Sequence, residues 1–281
     1  MRIWFHESGA ADAPLIVLVH GTMDRSAGML RLSRCLDHAF RVLRYDRRGY
    51  GRSASNPGPF GVEHQVRDLV GLLGGRRALV VGHSYGGNVA LAAAARCPEQ
   101  VVAAAVYETP LSWLDWWPGS TAGADAIATR GDPGDAAERF VRRLISDARW
   151  ERLPPSTRAA RRSEGPAMVG ELVDLREHAP WSASDVAAPV VAMYGERGAA
   201  HHRAGTEYLA RELPDCQVVA VAEARHFGPN THPEAVAGAI CDLASRVGHA
   251  SRTGHGDMMS NAASPAATTE STNEPPMPTP S

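Results

Sequence analysis

The stretch ALVVGHSYGGNVALAAAA, residues 78–95, decides the fold. It begins as an apolar run typical of a buried strand and ends as a small-residue sequence typical of a helix. Between the two lies GHSYG, residues 82–86, a G-x-S-x-G motif in a strand–turn–helix context. We expect a turn so tight that only glycine fits two positions either side of the serine. The motif predicts a nucleophilic Ser84 at a helix N-terminus, where free N–H groups favour developing negative charge.

Outward from this stretch, short β-rich runs alternate with helical ones along the chain. The predicted strands are residues 2–6, 15–19, 42–45, 78–81, 101–107, 190–194 and 217–221. The predicted helices are residues 27–38, 62–73, 85–96, 204–213 and 233–247. Such alternation indicates an α/β fold with a mostly parallel central sheet flanked by helices.

One long interval interrupts the alternation. Residues 109–188 offer helical patterns without good strands, and the clearest patterns are at 135–150 and 166–178. We interpret this interval as a helical cap inserted between two strands. Residues 1–108 and 189–248 then form the core of the fold.

The C-terminal part of the chain, residues 249–281, has a different composition. From Ser251 onward it contains no Leu, Ile, Val, Phe, Tyr or Trp. A segment of this kind cannot bury enough apolar surface to offset its ordering entropy. We therefore predict a disordered tail.

The basic side chains are all arginine, since the 29 basic residues include no lysine. This excludes a lysine Schiff base, a Walker A lysine and Ser–Lys hydrolysis. A formal net charge of -2 offers neither a basic field for nucleic acid nor a polybasic patch for membrane lipid. The chain shows no secretory leader and no long apolar segment, so we expect a cytoplasmic protein.

Three further motifs surround the G-x-S-x-G turn in chain order. They are VLVHGTMDRS at residues 17–26, YDRRGYGRS at 45–53 and ARHFGPNTHPEAVAGAI at 224–240. Together the four motifs resemble those of the α/β-hydrolase fold family, over residues 1–248 apart from the cap. The resemblance implies an α/β-hydrolase fold with a serine–histidine–acid triad and an oxyanion hole.

The base that activates Ser84 is expected to be a histidine. A serine hydroxyl is a weak nucleophile until a base takes its proton, and this chain has no lysine to do so. The resemblance places the catalytic histidine in the loop after the last strand, where His226 lies. His232, a few residues further on, is the alternative.

The acid of the triad is where the chain departs from the commonest family pattern. The usual aspartate stands in a Gly-x-x-Asp turn after residues 190–194, and here glycine, Gly198, takes its place. Some members carry the acid after the preceding strand instead, where this chain has Glu108. We therefore predict the triad Ser84, Glu108 and His226, with Glu196 and Asp115 as alternative acids.

The oxyanion hole follows from the resemblance as well. It implies two backbone N–H donors, one at Tyr85 beside the nucleophile and one at Thr22 after the His-Gly pair. Met23 is an alternative donor. Because both groups belong to the main chain, side-chain substitution tests them poorly.

The cap supplies the predicted substrate-binding residues. Trp113, Trp116 and Trp117 crowd the segment that leaves the fifth strand, and we expect them to line an apolar pocket. The cap also carries many arginines that fit a solvated face: Arg139, Arg142, Arg143, Arg158, Arg161 and Arg162. The adjacent His201 and His202 are expected to diverge without further ligands, so we predict no metal site.

These features predict a cofactor-independent, esterase-like serine hydrolase. It would cleave an ester or related acyl bond of a small, fairly apolar molecule through an acyl-enzyme. C–C bond hydrolysis, thioester hydrolysis or a lyase step on the same scaffold stays open, because a fold does not fix a reaction. A non-catalytic ligand-binding protein is the alternative from a different class.

Overall fold

The structure, a computed structural model, describes residues 3–128 and 131–259, with side chains described as far as residue 248. The strands are β1 (Phe5–Ser8), β2 (Leu15–Val19), β3 (Arg41–Tyr45), β4 (Ala78–His83), β5 (Val101–Tyr107), β6 (Val190–Gly195) and β7 (Cys216–Val221). They form one seven-stranded sheet in the order β1-β3-β2-β4-β5-β6-β7. Only β1 is antiparallel to its neighbour, β3, among these pairings.

Eleven α-helices lie within the described residues. They are α1 (Leu30–Leu36), α2 (Val62–Leu73), α3 (Tyr85–Arg96), α4 (Ala122–Ala128), α5 (Pro133–Ile145), α6 (Asp147–Glu151), α7 (Pro155–Ser163), α8 (Gly165–Glu177), α9 (Ala200–Glu212), α10 (Gly228–Thr231) and α11 (Pro233–Met259). The predicted fold class, a mostly parallel sheet flanked by helices, is confirmed.

The central strands are apolar along their whole length because both faces of the sheet are covered. Every residue of β2 and β4 is buried. Side chains of successive residues point to opposite faces, so Val17 and Val80 enter one core cluster while Ile16 and Val81 enter another. Continuous apolar strands of this kind are typical of a parallel sheet packed on both sides.

Several predicted boundaries were wrong, each for a local reason. The first strand runs over Phe5–Ser8 rather than 2–6, because its register is set by antiparallel pairing with β3. The predicted helix at 27–38 begins with a 3₁₀ turn, Ser26–Met29, before α1. The helix predicted at 204–213 begins at Ala200, which brings the two adjacent histidines into its first turn.

Between β5 and β6 the chain forms five helices, α4 to α8. In the described part of this interval, which lacks only residues 129–130, there is no strand. The helix predicted at 135–150 is broken at Ser146, whose φ of 75° is incompatible with a continuous helix. The sequence pattern also missed α4 and α7.

A buried ion pair joins these inserted helices to the sheet. Arg47, in the turn after β3, bonds to Glu171 of α8 with an Nη1–Oε2 distance of 2.7 Å, and both side chains are fully buried. Tyr50 Oη donates to the other carboxylate oxygen at 2.7 Å. Burial alone would lower the pKa of Arg47, but the facing carboxylate of Glu171 outweighs it and raises that pKa.

The same arginine orders the loop after β2. Its Nε donates to the carbonyl oxygen of His20 at 2.9 Å and its Nη2 to that of Gly21 at 3.1 Å. A single guanidinium thereby ties α8 to the loop that precedes Thr22.

The C-terminal helix α11 continues to Met259, past the predicted start of a disordered tail at residue 249. The chain divides into two units, Met1–Val247 and Gly248–Ser281. The remainder of the predicted tail, residues 260–281, lies outside the described residues. Within the described residues, no helix combines the length and apolar character needed to cross a membrane.

The buried ion pair yields a stability prediction. Glu171→Gln leaves the Arg47 charge buried without its partner, and we expect a loss of about 3–5 kcal/mol in the free energy of unfolding. Combining it with Arg47→Met should restore about 1–3 kcal/mol relative to the sum of the two single losses. Urea denaturation measures all three variants. As a control, the exposed pair Glu63–Arg67 should show no measurable coupling, and equal coupling at both pairs would contradict the prediction.

Candidate active site

The carboxyl ends of four neighbouring strands meet at one edge of the sheet. Ser84 follows β4 and Glu108 follows β5, while Gly195 ends β6 and His226 lies in the loop after β7. Because these strands are parallel and adjacent, residues far apart in the sequence come together at this edge.

Ser84 sits in a turn that the surrounding backbone constrains tightly. Its φ of 53° lies in the left-handed region that residues with a side chain rarely adopt. A Cβ at Gly82 would lie 2.3 Å from the carbonyl oxygen of Gly86, and one at Gly86 would lie 2.2 Å from that of Val19. Glycine is therefore required at both flanking positions, as the motif predicts. The Ser84 N–H donates to the carbonyl of Tyr107 at 2.8 Å.

Glu108 is a buried carboxylate with two hydrogen bonds. Only 1% of the residue is exposed, and its backbone φ of 47° is also left-handed. Oε1 accepts from the backbone N–H of Gly195 at 3.0 Å, and Oε2 accepts from His226 Nδ1 at 2.7 Å. Burial alone would raise the pKa of Glu108, but the hydrogen bond from His226, together with that from the Gly195 N–H, lowers it. The carboxylate is therefore ionised at neutral pH.

The two alternative acids lie elsewhere. Glu196 and Asp115 are both exposed to solvent. Gly198, which stands in the usual place of the family's aspartate, is close to the carboxylate from the neighbouring strand. A Cβ at Gly198 would lie 2.6 Å from Glu108 Oε1. The glycine thus leaves room for the Glu108 side chain.

His226 is held from three directions. Its Nδ1 donates to Glu108, and its carbonyl oxygen accepts from His83 Nε2 at 2.7 Å. Its ring stacks on that of His202, with centroids 4.9 Å apart and planes inclined by 20°. Tyr107 Oη donates to the carbonyl of Arg225 at 2.9 Å and fixes the preceding residue of the loop. With a proton on Nδ1, neutral His226 carries its lone pair on Nε2.

Sequence reasoning missed His83 and His202. Burial lowers the pKa of each to about 3, and the charge that His226 can carry adds to the effect. Both rings are therefore neutral. His83 was visible only as the variable position of the motif, and its partner lies 143 positions away. The one available signal for His202 was its neighbour, since two adjacent histidines follow the β6 turn.

The expectation that His201 and His202 diverge without other ligands was wrong. Their ring centroids lie 4.2 Å apart, and His202 Nε2 is 3.5 Å from Glu108 Oε2. One nitrogen each of His202 and His226 and one oxygen of Glu108 lie within 4.8 Å of one another, as metal ligands could. A metal on these atoms would have to break the bond between Glu108 and His226.

Ser84 and His226 line a cavity of about 300 Å³ between the sheet edge and the inserted helices. Its apolar wall includes Trp117, Phe140 and Leu172. This volume lies at the small end of the range for ligand pockets, about 300–1,000 Å³.

Of the three tryptophans predicted to bind substrate, Trp117 is the one that lines this cavity. Trp113 instead packs edge-on against Trp181, with ring centroids 5.4 Å apart, and Trp116 is exposed. Trp113 and Trp116 are not among the residues that line this cavity, and a role for them in substrate binding stays a prediction. Their place in the sequence could not reveal which of the three rings faces the cavity.

The predicted oxyanion donors also lie near Ser84. Thr22 lines the cavity, and Tyr85 is the first residue of α3, whose N–H has no partner inside the helix. A Cβ at Gly21 would lie 3.0 Å from the Cβ of Ser84, so the loop after β2 passes close to the serine. Met23, the alternative donor, is buried with a φ of 58° and lines a neighbouring cavity with Thr22.

The neutral histidines predict how stability depends on pH. His83 and His202 bind no proton in the folded state above about pH 3, whereas unfolded histidine binds one below about pH 6.5. Acid therefore favours unfolding between these values, and each ring contributes a slope of up to about 1.4 kcal/mol per pH unit. Urea denaturation should show a smaller slope between pH 6.5 and 5 for His202→Gln than for wild type. At pH 8 the histidine contribution to the slope vanishes in both proteins. Equal slopes of wild type and His202→Gln below pH 6.5 would contradict a neutral His202 in the folded state.

Comparison with known proteins gives matches over most of the chain. The chain is 25% identical over 262 residues to the 2-(acetamidomethylene)succinate hydrolase of Mesorhizobium japonicum, covering 86% of this chain and 92% of that protein. A bifunctional esterase/perhydrolase of Acinetobacter calcoaceticus is 37% identical over 111 residues, 37% of this chain and 39% of that protein.

Among solved structures, an enol-lactonase from Burkholderia xenovorans superimposes with a TM-score of 0.65 at 25% identity, covering 86% of this chain and 95% of that one. A hydrolase from Pseudomonas aeruginosa gives a TM-score of 0.68 at 25% identity, with 85% and 92% covered. Residues 16–239 match the family model described as the alpha/beta hydrolase family. Together with the sheet order and the turn at Ser84, this match shows that the chain belongs to the alpha/beta hydrolase family.

Proposed function

We propose that this protein is a cofactor-independent serine hydrolase that cleaves an ester or related acyl bond of a small, largely apolar substrate. The observation that carries the proposal is the hydrogen bond of 2.7 Å between His226 Nδ1 and the buried Glu108, at the cavity that Ser84 also lines. This supports Ser84 as the nucleophile, His226 as its base and Glu108 as the group that orients the base, which are the three roles that acyl transfer needs.

In the first half of the reaction, Ser84 Oγ attacks the carbonyl carbon of the substrate while His226 Nε2 takes its proton. The electron pair of the carbonyl π bond moves onto the oxygen, which becomes an oxyanion. Glu108 stabilises the imidazolium that forms on His226. The oxyanion then collapses and expels the alcohol oxygen, which receives the proton from Nε2. The products of this half are the free alcohol and an ester between Ser84 and the acyl group.

In the second half, water attacks the acyl carbon while His226 Nε2 takes one of its protons. The tetrahedral intermediate collapses, and Ser84 Oγ leaves and recovers the proton from Nε2. The carboxylic acid is released and the enzyme returns to its starting state. No electron transfer is involved, and water is the one co-substrate.

Two backbone donors support the oxyanion in this proposal. The N–H of Tyr85 opens α3, where the helix dipole favours negative charge, and the N–H of Thr22 would approach from the opposite loop. Thr22 is favoured over Met23 because Thr22 lines the cavity with Ser84. The ordering of the His20–Gly21 carbonyls by Arg47 holds this loop in place.

The relatives support the reaction class. Their names include a hydrolase, an esterase/perhydrolase and an enol-lactonase, and the last two act on ester-type bonds by name. The cavity's size and its wall of Trp117, Phe140 and Leu172 favour a compact substrate with an apolar portion.

Labelling with a fluorophosphonate tests the proposal. The probe should modify wild type at Ser84, leave Ser84→Ala unmodified, and react about 1,000-fold or more slowly with His226→Ala. Mass spectrometry locates the modified residue and measures the rate.

His232→Ala is the matched control, because this ring bonds to Thr231 Oγ1 at 2.8 Å rather than to the carboxylate. It should label at nearly the wild-type rate. Unmodified wild-type Ser84, or equal labelling of wild type and His226→Ala, would overturn the proposed function.

A further inference from the structure

Two arginines from the inserted helices line the cavity that contains Ser84. Arg143 belongs to the last turn of α5 and Arg176 to the last turn of α8. A cation in a mostly apolar cavity is costly unless an anion faces it. Each of these arginines is therefore expected to face an anionic group.

Arg143 already has a protein partner. Its Nη1 lies 3.3 Å from Asp125 Oδ2, and its Nη2 donates to the carbonyl of Ser120. Both members of the ion pair are about half exposed. Its charge is balanced at the cavity rim without any ligand.

Arg176 has no such partner. Within residues 3–128 and 131–248, no carboxylate forms an ion pair with it, and its one hydrogen bond is a long contact of 3.4 Å from Nη2 to Thr121 Oγ1. Burial lowers the pKa of Arg176. The guanidinium thus stands partly desolvated at the cavity with donors available to a ligand.

Four further arginines of the inserted helices are paired with carboxylates. Arg142 bonds to three acidic side chains and Arg162 to three, and Arg158 and Arg161 bond to one each. Arg142, Arg158 and Arg162 are balanced by acidic side chains at the partly exposed surface, and Arg161 is balanced by the buried Glu164. Arg176 departs from this pattern at the position where a substrate would lie.

We infer that Arg176 binds a carboxylate on the substrate, so that the enzyme acts on acyl compounds that carry an anionic group. This inference rests on the proposed function and adds the substrate class. The planar guanidinium offers two parallel N–H donors to the two oxygens of a carboxylate, which gives direction as well as strength. The apolar part of the substrate packs between this contact and Ser84, against Phe140 and Leu172.

Matched substrate pairs test the inference on both sides of the scissile bond. One pair is 4-acetoxybenzoate and 4-acetoxybenzamide, and the other is the 4-nitrophenyl monoester of adipic acid and that of its monoamide. Wild type should prefer the carboxylate member of at least one pair by about 10- to 100-fold in kcat/KM, chiefly through KM. Arg176→Gln should abolish that preference, chiefly by raising KM for the carboxylate member. Arg176→Lys, which keeps the charge but loses the fork, should retain part of it.

Arg139→Gln is the matched control. Arg139 is a partly buried arginine of α5 that lacks an ion pair among the described residues and bonds to the carbonyl of Ala126, outside the cavity lining. It should keep the wild-type preference for carboxylates.

The outcomes separate the two proposals. If Ser84 is labelled and the carboxamide esters are hydrolysed, but neither pair shows a carboxylate preference or the preference survives in Arg176→Gln, the carboxylate site alone is overturned. If Ser84 is not labelled and no ester is hydrolysed, the proposed function fails and the substrate class fails with it.

Discussion

The site depends on one buried carboxylate at the end of β5. Glu108 is almost completely buried, and its two oxygens are taken by His226 Nδ1 and by the N–H of Gly195. A buried charge persists only when hydrogen bonds replace the water that it loses. The carboxylate therefore fixes the orientation of the His226 imidazole at the cavity that Ser84 also lines. Gly198 contributes by leaving the space that Glu108 Oε1 occupies.

Two sets of contacts hold the candidate site in place. One lies directly around His226, and the other is the buried ion pair further away. His83 and His202 surround the imidazole with two neutral rings, one bonded to its main chain and the other stacked on its face. Further out, Arg47 and Glu171 hold the inserted helices against the loop that contains Thr22. The inserted helices that cover the cavity are therefore themselves held in place by a buried ion pair. Arg176 differs, because its charge faces the cavity and no carboxylate among the described residues pairs with it.

The sheet, the turn at Ser84 and the loop of His226 could be predicted because their signals are local. Alternating apolar runs indicate strands, and glycines two residues either side of a serine indicate a turn that excludes a Cβ. The sequence left the acid of the triad undecided between Glu108, Glu196 and Asp115, because the choice depends on a contact between β5 and the loop after β7. His83 and His202 were missed for the same reason, and the break at Ser146 had no marker such as glycine or proline.

The most direct measurement compares the turnover of Glu108→Gln and Glu196→Gln with 4-nitrophenyl butyrate, in variants shown by circular dichroism to be folded. We expect kcat/KM to fall about 1,000- to 10,000-fold in Glu108→Gln, because the amide NH2 can donate to Nδ1 and favour the wrong tautomer and the imidazolium loses its counter-charge. Glu196 is exposed, and its replacement should leave kcat/KM within about twofold of wild type. Near-normal turnover of Glu108→Gln together with a large loss in Glu196→Gln would contradict the role of Glu108 as the acid that orients His226.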